Sequence, residues 1–241
     1  MKINNYFSPN FEKRVRPKSH IKVIVIHYTG MQSERESLVR LCSHESKVSS
    51  HYLINRNGKV YKLVKEENVA WHAGVSYWQR FKNLNKYSIG IELVNKGHEF
   101  GYTNFNRQQI ESLIKICKKL IKRYKINKIN IVGHSDIAPN RKKDPGEKFP
   151  WKKLADQKIG IWHDHKMEFL KKFRNIKILK KKDHVKFLKN LKKIGFYFSF
   201  RNKALLAKTI SAFQRRFRKE LINGVADLEC LIITESLAKK L

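Results

Sequence analysis

The pattern of this 241-residue chain predicts an α/β fold, a mixed central β-sheet flanked by helices and followed by a small all-α C-terminal domain. Three observations predict it. Strand and helix signals alternate up to about residue 155. The strand runs are apolar and β-branched almost throughout, as in a sheet covered on both faces. Beyond Trp162 such runs all but cease while helical spacing continues.

In chain order, His20 to Gly30, HIKVIVIHYTG, is a buried strand that ends in a loop, and a helix follows over Glu34 to Cys42. His51 to Leu63 holds two alternating runs around Asn57-Gly58, a strong hairpin signal. Tyr87 to Val94, YSIGIELV, is a second buried strand in which Gly90 permits close approach of a neighbouring backbone. Between Asn106 and Tyr124, Ile110, Leu113, Ile114, Cys117, Leu120 and Ile121 recur at helical spacing, which predicts a helix lying on the sheet. A strand over Lys128 to Gly133 leads into His134, and Ala138 to Trp151 is a loop punctuated by Pro and Gly. Lys166 to Lys182 reads as a charged connector. Leu188, Leu191 and Ile194, and later Ile210 to Phe217, place short amphipathic helices in the remainder. The expected division is 1–165, 166–182 and 183–241.

Composition bounds the function. A hydrophobic content of 41% excludes wholesale disorder. Three scattered cysteines, Cys42, Cys117 and Cys230, fit neither a disulfide framework nor a Cys-rich zinc module, so any metal site is built from His and carboxylates. A formal charge of +33 would attract nucleic acid, anionic lipid or an acidic polymer, but lysine is spread evenly and no nucleic-acid-binding motif sharpens the first of these. The expectation is no specific nucleic-acid partner, with contact to an anionic envelope surface left open. No apolar run is long enough for a transmembrane segment, and no signal peptide is visible.

The chemistry sits at strand ends. His27 terminates VIVIH, His134 terminates INIVGH, and Asp144 follows in the loop, together a two-histidine, one-carboxylate set of the kind that holds catalytic zinc with one position open. Imidazole and carboxylate also suit other divalent metals. Taken singly, each reads more readily as a satisfied core or turn residue, since the three are far apart in sequence and meet only through folding. Glu92 interrupts an apolar strand, where a charge is costly unless it works or is paired; beside a metal it could move a proton from the attacking water to a leaving amine. Lys142 could stabilise a developing oxyanion, as could Lys143, and both could be plain surface charges. Tyr28 and the turn Trp71-His72-Ala73 are candidate substrate contacts, with Trp71 as readily a plug at the core edge. His51 is read as a support behind the site, and His163-Asp164-His165 as no metal site, since it lies in a charged stretch without an ordered frame.

The segments VIVIHYTG, SSHYLINRNGKVYKLV, AWHAG, SIGIELVN, VGHSDIAPNRKKDPG and FPW, in this order and spacing, resemble the zinc-dependent N-acetylmuramoyl-L-alanine amidases of the AmpD-like (amidase 2) family across most of the first 160 residues. The resemblance implies one Zn²⁺ on His27, His134 and Asp144, Glu92 as catalytic acid/base, and Lys142 as the oxyanion-stabilising residue. The implied reaction is hydrolysis of the amide between N-acetylmuramic acid and L-alanine in peptidoglycan or muropeptides. The alternative is a non-catalytic peptidoglycan-recognition protein on the same fold. Residues 183–241, through LKKIGFYF and ISAFQRRFRKELINGVADLEC, resemble the peptidoglycan-binding domain of the AmiD-like branch, with Gly224, Ala226 and Asp227 holding a turn between helices. That branch implies the cell envelope, periplasm or secretion; the lack of a visible signal peptide keeps a cytoplasmic location open.

Overall fold

The computed structural model describes residues 2–241. Its strands are β1 (Ile3–Asn5), β2 (Phe11–Glu12), β3 (Val23–Tyr28), β4 (Tyr52–Ile54), β5 (Val60–Lys62), β6 (Val69–Ala70), β7 (Tyr77–Trp78), β8 (Phe81–Lys82), β9 (Ser88–Leu93) and β10 (Ile131–Gly133). The helices are α1 (Glu34–Cys42), α2 (Arg107–Tyr124), α3 (His134–Ile137), α4 (Trp151–Asp156), α5 (Met167–Lys171), α6 (Lys181–Ile194), α7 (Lys203–Phe217) and α8 (Leu228–Ala238).

Six strands form the central sheet in the order β1-β5-β4-β9-β3-β10. The β4–β5 pair, folded around Asn57-Gly58, is antiparallel, and all other neighbours are parallel, so the sheet is mixed. The two longest strands, β3 and β9, lie side by side near its middle. Alternation along β3 splits it between two cores. Ile24 and Ile26 join Ile89, Ile91 and the α2 stripe of Ile110, Leu113, Cys117 and Leu120. Val23 and Val25 face the other way, into a core shared with Val132, Ile137, Phe187, Phe196, Phe213 and Phe217. The C-terminal helices α6 and α7 therefore pack on the sheet face opposite α2.

Two details differ from the sequence reading. The first half of the strand expected over Lys128 to Gly133 is a 3-10 turn, Lys128–Asn130, because the Asn127 side chain accepts the Ile129 N–H and offers the backbone a local partner. The stretch read as a connector contains α5 and buries Leu170 and Ile178 in the shared core. At the turn before α8, Gly224 has φ +73°, and Asp227 caps the helix by accepting the Cys230 N–H at 2.9 Å.

Candidate active site

Register places the chemistry. His27 on β3 pairs with Glu92 on β9, one step beyond the Val25–Gly90 pair and two beyond Val23–Ser88. Because side chains of paired residues share a face, Ser88, Gly90 and Glu92 lie in a row beside Val23, Val25 and His27, on the face away from α2. On the other flank of β3, β10 ends at Gly133 and His134 opens α3. The site thus gathers at the carboxyl ends of three adjacent parallel strands, the usual place for function in an open α/β sheet.

His27, His134 and Asp144 come together there. His27 Nδ1 lies 3.0 Å from His134 Nδ1 and 3.0 Å from Asp144 Oδ2, and His134 Nδ1 lies 3.2 Å from the same oxygen. These three form the only group of its kind that could hold a metal ion among the described residues; His163-Asp164-His165 forms none. A tetrahedral zinc with bonds of roughly 2.0–2.1 Å has ligand-to-ligand edges of roughly 3.3 Å, so the triangle has the size of one tetrahedral face. All three side chains are buried. Burial, then the neighbouring His134, lowers His27 to about 4 and keeps its ring neutral, the form that ligates. Burial alone would raise Asp144, but the adjacent His134 and then His27 outweigh it and hold the carboxylate well below its ordinary value.

Glu92 stands beside this triangle with Oε2 shielded from solvent and without a hydrogen-bond partner among the described residues. Burial and then the Asp144 charge raise it to about 8, against the pull of Lys142. Such a carboxyl is held ready to exchange a proton. Lys142 is exposed and, with Tyr28, Trp71 and Lys143, lines the cleft of about 390 Å³ that opens over the triangle and Glu92. A larger groove of about 970 Å³, between α4 and the C-terminal helices, contains none of these groups.

Of the turn expected to meet substrate, Trp71 and His72 line the cleft, whereas Ala73 is wholly buried and does not reach it. His72 is buried with Nδ1 3.1 Å from His27 Nε2, and Ala73, wholly buried, turns its carbonyl to His134 Nε2 at 3.2 Å. Both therefore support the metal-site histidines, because the turn after β6 passes from the cleft wall at Trp71 to behind His27 and His134. His51 also lies behind, its Nδ1 accepting the Gly90 N–H at 3.0 Å. The close approach that Gly90 permits is that of the His72 ring, not of a backbone. A Cβ there would sit 2.5 Å from His72 Cγ. Gly90→Ala should accordingly cost about 1–3 kcal/mol of stability by overpacking, read as a lower urea midpoint for the variant.

Sequence reasoning passed over three further residues. Arg141 donates to the Ala73 carbonyl and, at 2.8 Å, to that of Val75. His98 bridges Tyr28 Oη at 2.8 Å and Glu147 Oε2 at 3.1 Å on the cleft rim. Arg216 on α7 pairs with Asp136 at 2.6 Å inside the core. For Arg216 a signal existed, since it lies within the apolar face of ISAFQRRF.

Comparison with known proteins finds consistent likenesses. Residues 17–147 match a family described as N-acetylmuramoyl-L-alanine amidase. The chain is 40% identical over 234 residues to the N-acetylmuramoyl-L-alanine amidase AmiD of Escherichia coli K12, covering 91% of this chain and 83% of that protein. It is 36% identical over 164 residues to the 1,6-anhydro-N-acetylmuramyl-L-alanine amidase AmpD of Haemophilus influenzae, covering 61% of this chain and 86% of that protein. Among solved structures, AmiD from E. coli in complex with anhydro-N-acetylmuramic acid-L-Ala-D-gamma-Glu-L-Lys superimposes with a TM-score of 0.80 at 37% identity, over 95% of this chain and 92% of that one. AMPDH3 from Pseudomonas aeruginosa in complex with anhydromuramic pentapeptide gives 0.81 at 32% identity, over 96% of both.

Proposed function

The chain belongs to the N-acetylmuramoyl-L-alanine amidase family, and from that premise we propose that it is a zinc enzyme, with the ion held by His27, His134 and Asp144 and the proton moved by Glu92. The reaction is hydrolysis of the amide that joins N-acetylmuramic acid to L-alanine of the stem peptide. The observation that carries the mechanism is the convergence of two imidazole Nδ1 atoms and one carboxylate oxygen within 3.0–3.2 Å, next to a carboxylate oxygen without a partner among the described residues. Two imidazole nitrogens and a carboxylate oxygen converging at that spacing offer one cation three ligand atoms at once.

Zinc bound there supplies Lewis-acid polarisation of the scissile carbonyl and makes water nucleophilic at neutral pH. Glu92 takes the proton of the attacking water and returns it to the departing alanine amine; its buried Oε2, without a partner among the described residues, is free for both steps. Lys142, at the cleft mouth, brings a positive charge to the carbonyl oxygen as it becomes negative. Tyr28 and Trp71 line the same cleft and bind the muropeptide.

The finer placement follows the same reading. Residues 183–241 form a peptidoglycan-binding-like unit that delivers the substrate polymer, and 166–182 joins it to the catalytic part. The protein works at the cell envelope, in the periplasm or after secretion. No helix among the described residues is long and apolar enough to cross a membrane. Between Lys166 and Lys189, exposed lysines alternate with the exposed side chains of Met167, Phe169, Ile176, Leu179 and Val185, which supports contact with an anionic envelope surface.

Chelation tests the metal and the reaction together. Muropeptides incubated with the protein should lose the stem peptide, as seen by mass analysis. Treatment with a chelator should abolish that loss, and added zinc should restore it. Undiminished cleavage after verified metal removal would overturn the zinc mechanism.

A further inference from the structure

We propose that His72 is a positioning residue that holds His27 in the tautomer bearing its proton on Nε2, leaving a bare Nδ1 aimed at the metal site. The proposal rests on the reading of His27, His134 and Asp144 as metal ligands.

The direction of the hydrogen bonds follows from the far end of the chain of contacts. Ser88 Oγ lies 2.5 Å from the Leu84 carbonyl oxygen. A carbonyl only accepts, so the single Ser88 hydroxyl proton is committed to it. His72 Nε2, 3.2 Å from Ser88 Oγ, therefore faces a lone pair and carries a proton. His72 is buried and neither of its hydrogen-bond partners, Ser88 and His27, is a carboxylate, so the ring is neutral and has one proton only. Its Nδ1 is then an acceptor. The atom 3.1 Å from that acceptor is His27 Nε2, which must donate. As a metal ligand His27 is neutral and has no second proton, which leaves Nδ1 free toward Asp144 Oδ2 and His134 Nδ1.

His134 reaches the same state by a shorter route. Its Nε2 faces the Ala73 carbonyl at 3.2 Å, again a group that only accepts. One ligand is thus set by a backbone carbonyl and the other by an imidazole relay that also ends on a backbone carbonyl. Packing keeps the relay in place. Ser88 and Gly90 share a face of β9, and Gly90 has no side chain to displace the His72 ring. The His51 ring meets His72 edge-on with centroids 5.7 Å apart. His51 accepts the Gly90 N–H on Nδ1, and its Nε2 lies between the Asn68 carbonyl at 3.1 Å and Arg16 Nη2 at 3.0 Å, on the side away from the relay.

The test uses the full chain and its variants His72→Phe, His72→Asn and Ser88→Ala. Zinc affinity is measured by competition with a fluorescent chelator, and tautomers are read in the metal-free wild type by long-range 1H–15N NMR. His72→Phe keeps ring volume but removes the acceptor, and zinc affinity should fall about 10- to 100-fold, the usual effect of losing such a partner. His72→Asn, whose Oδ1 can accept where Nδ1 did, should recover most of that loss. Ser88→Ala frees His72 to populate both tautomers and should weaken zinc binding by less than His72→Phe does. NMR should find Nε2–H on His27 and His72. Wild-type zinc affinity in His72→Phe, or Nδ1–H on His27 or His72, overturns the proposal. Should His72→Phe fail to unfold cooperatively on heating, Ser88→Ala and the wild-type NMR decide alone. A wild type that binds no zinc overturns the metal reading, and the NMR result then shows whether the relay itself stands.

Discussion

Glu92→Gln should bind zinc as the wild type does and yet lose turnover by about 10²- to 10⁴-fold, the range in which a positioned general acid/base contributes. At about 1.4 kcal/mol per decade this is roughly 3–5 kcal/mol of transition-state stabilisation. The substitution preserves shape on β9, and Glu92 is outside the triangle of His27, His134 and Asp144. What it removes is a carboxylate able to hold a proton between attack and departure. His134→Ala should differ in kind, losing zinc and turnover together, because it deletes one corner of the triangle. Paired measurements decide the matter: zinc by chelator competition, and stem-peptide release from muropeptides by mass analysis. Full activity in Glu92→Gln would refute the mechanism, and loss of zinc in that variant would make Glu92 part of the metal site instead.

The strands and the three converging side chains were legible because each leaves a one-dimensional trace. VIVIH, SIGIEL and IVGH are apolar runs that stop at, or are broken by, a polar residue, and a charge in such a run needs a reason. What was not legible is direction across the sheet. WHAG reads as an aromatic turn suited to a substrate, but that His72 also reaches His27 and that Ala73 turns its carbonyl to His134 depends on how the turn after β6 crosses β9. That path is a tertiary fact, set by the space above Gly90. The connector between the two parts misled for a related reason. Its lysines describe the solvent side, while Leu170 and Ile178, too few to show a period, describe the side that is buried.

The coupling between the C-terminal helices and the metal site also lay outside what spacing can show, and it leads to the largest expected effect on stability. Arg216→Met should destabilise the protein by about 3–5 kcal/mol, because it strands a buried carboxylate. Asp136 and Arg216 are both nearly inaccessible, and their pair at 2.6 Å is not a surface bridge. Asp136 Oδ2 also accepts the Gly133 N–H at 2.8 Å, immediately before His134. Arg216 Nη2 donates at 3.0 Å to the Ile131 carbonyl on β10, the edge strand, and its guanidinium lies 4.1 Å from the centre of the Trp151 ring. One side chain of α7 thus satisfies the sheet edge and anchors the turn that presents a metal ligand. Burial raises the Asp136 pKa against the pull of Arg216. Without Arg216 it should rise further, so the native state would take up a proton at a pH where the unfolded chain does not. Acidification through that window stabilises the variant relative to its unfolded state, and its deficit should shrink as the pH falls. Arg216→Met combined with Asp136→Asn should recover much of the loss at neutral pH, since no unpaired charge remains. Urea unfolding of the two single variants and the double variant, at neutral and mildly acidic pH, measures each term. Additive losses, or a deficit that grows on acidification, would show that Arg216 acts through packing alone. Because the same contacts hold the residue before His134, Arg216→Met should also weaken zinc binding, although Arg216 touches none of the three ligands.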